Sequence, residues 1–509
     1  MKPPITFATT SVGTSLRRSQ IPFFSIGDFQ KEIVSRVELG ERVVALFGAE
    51  TDVPGKTDLF AVLADDPENC LHVGQSAIEG TTYPSLTPQC PQVHLFEREI
   101  AEQFGLVPQG HPWFKPVRYH HSWTASDAWG RRAGEAILPA VGDFFRVEGE
   151  QVHEVSVGPV HAGILEPGHF RFQCHGETVL HLEIALGFQH RGLEKRFIGG
   201  PYPRTLHFAE TLSGDATIAH ATSYSQTLEG LGSTKVSARA HAVRGVALEL
   251  ERLANHVGDL GALSGDVGFL PTASFCGRIR GDFLNMTAAL CGNRFGRSLV
   301  RPGGVAFDLD DALREDLLKR LATAEKEASD AITLLWENQS VMARFEDAGP
   351  LTTASALELG IVGPAARASG LSRDVRFDQP SGIYRFSQIP ISTYDSGDVF
   401  GRAYVRWLEI QQSVQFIREQ LESLPGGVLA NPLGELAPSS FIVSLTEGWR
   451  GEVCHVAVTD DQGRLKRYKV VDPSFHNWSA LALCMRDQEI SDFPICNKSF
   501  SLSYCGHDL

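Results

Sequence analysis

Leu313, Leu317, Leu321, Ala324, Ala328, Ala331 and Leu335 recur at steps of three and four, with charged residues on the opposite side. That period lines one face of an α-helix and cannot serve a strand, whose faces alternate every second residue. Asp310 and Asp311 stand where an N-cap and a first-turn acid are favourable. The spacing predicts a helix within 309–345. Val243, Ala247, Leu250 and Ala254 repeat the stripe within 235–262, and a third helix over 399–423 is stopped by Pro425-Gly426-Gly427. Strands are expected near 168–186 and 440–472. The first hundred residues differ. Runs such as RVVALFGAE (42–50) and DLFAVLADDP (58–67) are short and partly alternating, which reads as strands. Helices are expected between them, around 28–38 and 94–104. Residues 119–150 show no period. The expected fold is α+β: an α+β domain over 1–118, a linker or docking arm over 119–155, and a mainly helical domain with small β-sheets over 156–509. The Arg-rich piece SGLSRDVRFDQP (369–380) reads equally as a salt-bridged strand or an anion-binding strip.

The net charge is −15, which disfavours general nucleic-acid binding, since phosphate backbones are held by Lys and Arg. No run of about 18 apolar residues is present, so no transmembrane segment is expected. The N-terminal stretch lacks the apolar core of a secretory signal. The nine cysteines stand at 70, 90, 174, 276, 291, 454, 484, 496 and 505. Their odd number and irregular spacing fit reduced cytoplasmic thiols rather than a disulfide framework. No two are three apart, so the chain holds no C-x-x-C pair. Nor does a G-x-G-x-x-G follow a strand, so no nicotinamide site is expected.

Several pieces, taken in order, are specific. FEREIAEQFGLVPQGHP (96–112) resembles the signature of the C-type subunit of bacterial NADH:quinone oxidoreductase. GPVH, EPGHFR, HRGLEK, RAHAVRGVALELERLANHV, RFGRSLVRPGGV, VGPAARASGLSRDVRFDQP, SGDV and EGWRGE resemble the D-type subunit of that enzyme and the large subunits of membrane-bound nickel–iron hydrogenases. The order and spacing look like the formate hydrogenlyase type, across about 96–509. The resemblance implies a fusion, with a C-type domain followed by a D-type domain of the hydrogenase-large-subunit kind. It also implies a peripheral arm of a membrane-associated oxidoreductase, held to the inner face of the cell membrane through partners. Those partners would be a small subunit that holds the nearest Fe–S cluster, together with antiporter-like and quinone-site membrane subunits.

The family's hydrogenase branch holds its metals with two C-x-x-C pairs, because soft thiolates must bridge both metals. At the matching positions this chain has Ser213 and Ala216, then Ser503 and Gly506, with Cys505 one residue out of register. No metal and no resident cofactor are therefore expected on the chain, and an active nickel–iron hydrogenase is the least favoured of three readings. In the D-type branch the former metal cavity takes a quinone headgroup. His161 matches that branch's loop histidine, whereas Gly214 stands near the place of its tyrosine. Ser213, Asp215 and Tyr504 are the candidates for the second quinone contact. Glu194 in HRGLEK matches a proton-relaying glutamate and is, with His161, the candidate catalytic residue. Its bland alternative is a structural ion pair. Arg191, His241, Arg244, Asp374 and Arg376 are the candidate coupling path. The remaining reading is a hydrogenase-like scaffold without chemistry of its own.

Overall fold

A computed structural model describes residues 6–509 apart from 52, 54, 133 and 162–164. Part of the GPVHAGIL turn, Ala162 to Ile164, thus lies outside the described residues.

The first half is built on a four-stranded antiparallel sheet. Its spatial order is Ala8–Thr10, Cys70–Glu79, Lys56–Asp65 and Arg42–Glu50. Helices Ile26–Glu38 and His94–Phe104 accompany it, at the positions expected from the sequence. A second four-stranded sheet runs Leu465–Val471, Gly451–Thr459, Ser440–Gly448 and Leu16–Arg17. Its last strand comes from the N-terminal segment: Leu16 pairs with Phe441 and Arg17 with Ser440. The two sheets share one apolar core, in which Phe60 and Phe441 stand 5.4 Å apart by ring centroids. Strands Arg42–Glu50, Lys56–Asp65, Ser440–Gly448 and Gly451–Thr459 are buried on both faces, whereas Cys70–Glu79 alternates between buried and half-exposed positions. The segment boundary near 118 therefore separates stretches of chain and not two cores.

The helical core consists of Ala238–Asp266, Leu270–Cys291, Asp311–Trp336 and Val399–Glu422. A Cβ on Gly261 would lie 2.7 Å from the Cβ of Cys276, so the first two helices approach as closely as a glycine permits. The heptad-like stretch 309–345 is two helices and not one. The first ends at Trp336, and Asn338 starts Gln339–Phe345 by accepting the N–H groups of Ser340 and Val341. Residues 369–380 do not form a strand. Asp374 caps a single turn, Val375–Asp378, by accepting the Arg376 N–H at 2.9 Å. A three-stranded sheet, Thr178–Ala185, His169–His175 and Val152–Val157, completes the second half. The described residues of 110–151 form no regular element; Val117 and Arg118 are buried, and Trp113 and Phe145 pack on His181.

Candidate functional site

Helix Thr217–Leu231 begins at Ala216, which has no capping side chain. The carboxylate of Glu251, on the long helix Ala238–Asp266, supplies the cap by accepting the N–H groups of Ile218 and Ala219 at 2.7 and 3.3 Å. Just before this helix, Ser213 donates to Asp215 at 3.1 Å, and Asp215 forms a two-point ion pair with Arg450 at 2.6 and 2.7 Å. A hydroxyl has one proton, so Ser503 is the donor in the 3.0 Å contact between the Ser213 and Ser503 hydroxyls. Ser503 also accepts the N–H of Gly506, at the start of the last helical turn. Ser213, Ala216, Ser503 and Gly506, the positions the resemblance aligns with the hydrogenase thiolates, are all buried, and the Ser213 hydroxyl meets Ser503, Asp215 and Arg450. Gly506 has no room for any side chain: a Cβ would lie 2.5 Å from Oδ2 of Asp472. That aspartate is engaged in turn by His220, which meets His455 at 3.1 Å. Cys505, beside these positions, has its thiol pushed up to about 11, chiefly by burial.

This sealed knot forms one wall of a cavity of about 900 Å³. His161, Asp215, Arg450 and Tyr504 reach the cavity, and Phe170, Phe493 and Trp449 give it apolar walls. Glycines shape the near side. A Cβ on Gly168 would lie 2.6 Å from the Tyr504 ring, and one on Gly158 would lie 2.8 Å from the His161 ring. His161 Nε2 donates to the Gly168 carbonyl at 2.9 Å, so in the neutral ring Nδ1 is the acceptor nitrogen. His161 and Tyr504 therefore flank one residue, Gly168. Burial pushes the Tyr504 phenol up to about 12, which keeps it a donor at neutral pH. Asp215 is the opposite case. Burial alone would raise its pKa, but Arg450 outweighs it and holds the carboxyl below the usual range. Ser213 lies behind the wall and does not reach the cavity.

Glu194 is elsewhere. It is buried between Arg467 at 2.8 Å and Lys469 at 3.1 Å and accepts the Val470 N–H at 3.0 Å. Burial alone would raise its pKa, but Arg467 and Lys469 hold it well below the carboxylate range. A carboxylate locked in this way is a structural ion pair, and it does not line the cavity. Among the expected coupling residues, Arg191 stands apart, bonding the carbonyls of Thr211, Leu212 and Cys505 at the rim of a second cavity. Of the other four, Arg244, Asp374 and Arg376 fall in two buried clusters, and His241 is half-buried. Arg244 grips Glu229 at 2.6 and 3.1 Å. Asp374 and Arg376 pair at 2.6 Å within a group that holds Glu249, Arg367, Glu409 and Glu447. Between the clusters, His241, Arg244, Arg376 and Glu447 line a space of about 20 Å³, room for roughly one water. Sequence reasoning missed Arg450, Asp472 and His220 as site residues. EGWRGE carried Arg450 in plain view, but its partner lies far away in the chain.

Residues 46–128 match the family described as respiratory-chain NADH dehydrogenase, 30 Kd subunit, and residues 266–437 the 49 Kd subunit family. The chain is 28% identical to formate hydrogenlyase subunit 5 of Escherichia coli (strain K12), over 83% of this chain and 76% of that protein. It is 31% identical to the carbon monoxide-induced hydrogenase of Rhodospirillum rubrum, over 67% of this chain and 95% of that protein. The C/D-type NADH-quinone oxidoreductase subunit of Bdellovibrio bacteriovorus is 24% identical over 83% of this chain and 82% of that protein. The same N-terminal 30 Kd and C-terminal 49 Kd order, found here on one α+β chain, makes this protein a fused C/D-type member of the family of complex I and membrane-bound hydrogenase subunits.

Proposed function

We propose that this chain is the large peripheral-arm subunit of a membrane-associated oxidoreductase in which the nickel–iron site has been replaced by an acceptor site of the quinone class. The observation that carries the reading is the 900 Å³ cavity with His161 and Tyr504 on one side and aromatic walls around it. Its size falls in the range of small-molecule sites. Phe170, Phe493 and Trp449 offer flat apolar faces to a planar ring, while charged groups, among them Glu166, Asp259, Asp266, Arg280 and Lys498, share the lining. Tyr504 donates to one carbonyl oxygen, and His161, whose Nε2–H is held by the Gly168 carbonyl, presents Nδ1 as an acceptor for the hydroxyl of the reduced ring. Asp215 is unsuited to donate, because Arg450 keeps it ionised. Its charge, paired with Arg450, fixes the wall instead. The donor set does not fit a nickel–iron centre. Hydroxyls stand in place of two thiolates, and the Asp472 carboxylate fills the space beside Gly506.

Electrons would arrive from an Fe–S cluster in a small partner subunit. Attachment to the membrane would run through antiporter-like and quinone-site subunits, since no helix among the described residues is long and apolar enough to cross it. The two buried charge clusters, bridged by the water-sized space, would carry coupling between the site and those partners. The test is the intact assembly, purified with its partners and titrated with a short-chain ubiquinone analogue. Tyr504→Phe is expected to weaken binding about tenfold, the worth of one hydrogen bond. His161→Ala is expected to weaken it further. Stoichiometric nickel on this chain, or quinone affinity untouched by both substitutions, overturns the proposal. A second reading, a scaffold without chemistry, is favoured by the way Ser213, Ser503, Asp215 and Arg450 satisfy one another. It predicts that the analogue does not bind at all.

A further inference from the structure

The hairpin formed by Lys56–Asp65 and Cys70–Glu79 gathers three unlike donors at one end of the N-terminal sheet. The register sets Asp65 opposite Cys70, and His72 lies two residues beyond Cys70, on the same face of its strand. A carboxylate oxygen of Asp65, the sulfur of Cys70 and a ring nitrogen of His72 all lie within 4.8 Å of one another. Cys70 Sγ and His72 Nε2 are 3.9 Å apart. Ligand atoms around a tetrahedral zinc stand about 3.5 Å apart, so the Cys70–His72 pair is within a few tenths of an ångström of that spacing, and a rotation of the Asp65 side chain would bring in the third donor.

The surroundings are arranged for a ligating histidine. Nδ1 of His72 meets Oε2 of Glu41 at 3.0 Å, and Arg36 holds the other oxygen of that carboxylate at 2.9 Å. A carboxylate on the far ring nitrogen fixes the tautomer that presents Nε2 to an ion. Oδ1 of Asp65 accepts the Glu68 N–H at 3.2 Å and closes the turn, which leaves Oδ2 for a ligand. Gln379, from the second half of the chain, donates to the carbonyls of both Asp65 and Cys70 at 3.1 and 3.2 Å, so the backbone of two donors is clamped.

We propose that Asp65, Cys70 and His72 bind one divalent transition-metal ion of the zinc class, with Glu41 as the outer carboxylate and water as the fourth ligand. A sulfur, a nitrogen and a single oxygen select such an ion over magnesium or calcium, which take oxygen ligands. On binding, the Cys70 S–H bond breaks, its proton leaves to solvent and a sulfur–metal bond forms, with no electron exchanged. The site is independent of the acceptor cavity. It would pin the hairpin turn against residues 373–379 and so help fasten the two halves together.

The test uses the full chain with Co²⁺ as the probe and Zn²⁺ as its competitor. The expected result is a thiolate-to-cobalt charge-transfer band, saturating at one metal per chain and bleached by Zn²⁺. Cys70→Ser abolishes the band, whereas Cys276→Ala keeps it. Glu41→Gln leaves all three ligands in place and weakens affinity about 10- to 100-fold. The proposal is overturned by a chain that gives no band, by a band that survives in Cys70→Ser, or by a Glu41→Gln variant of unchanged affinity. Circular dichroism of each variant separates loss of the site from loss of the fold.

Discussion

Single positions at the sealed knot have little freedom. Gly506→Ala places a methyl against the Asp472 carboxylate, so overpacking of about 1–3 kcal/mol is expected. Denaturant melts of the full chain would read this as a lower midpoint at unchanged slope. Glu251 makes a pH prediction. Burial pushes it up to about 8, and the two N–H donors at the helix start only partly offset that effect. A carboxyl whose folded pKa lies above its unfolded one contributes stability that is full below about pH 4.5. That stability is lost as the pH rises through about 8. Glu251→Gln cannot ionise, so its stability should decline less over that window, measured as melting temperature against pH. His161, Ser213, Asp215 and Tyr504 were legible in the sequence as candidates, because motif positions named them. Which of them face the cavity was not legible. That depends on the Asp215–Arg450 and Ser213–Ser503 contacts, between residues distant in the chain, and no local pattern records such pairs.

Among elements, those with a strong one-sided stripe were readable. Helices Ile26–Glu38, His94–Phe104 and Val399–Glu422 stand almost where the spacing predicts them. Thr217–Leu231 was missed because it is buried nearly all round and so carries no polar face to set the period. Leu270–Cys291, whose stripe is weak, was missed as well. The break after Trp336 went unread for another reason: the apolar spacing continues through it while Asn338 restarts the backbone. Asn338→Ala removes an acceptor shared by two N–H groups and should cost about 1 kcal/mol. The loss should appear as faster hydrogen exchange over Gln339–Phe345 and little elsewhere. The turn at Val375–Asp378 shows local chemistry overriding strand-like alternation, since Asp374 gains both the cap and a buried ion pair with Arg376.

At the scale of the molecule, the two halves are joined by charge as well as by apolar packing. Arg42 reaches across the sheets to Glu452 at 2.6 and 2.7 Å, and both side chains are buried. Arg42→Met strands the glutamate and should cost about 3–5 kcal/mol, while adding Glu452→Leu should recover much of it. A double-mutant cycle on the purified chain measures that coupling. The strand Leu16–Arg17 adds a constraint of another kind. Its hydrogen-bonding partner, Ser440–Gly448, is synthesised about 420 residues later, so Leu16–Arg17 waits unpaired over that stretch of synthesis. Cutting the gene into two cistrons would leave Ser440–Gly448 with a bare β-edge, a template for aggregation until the companion fragment arrives to cover it.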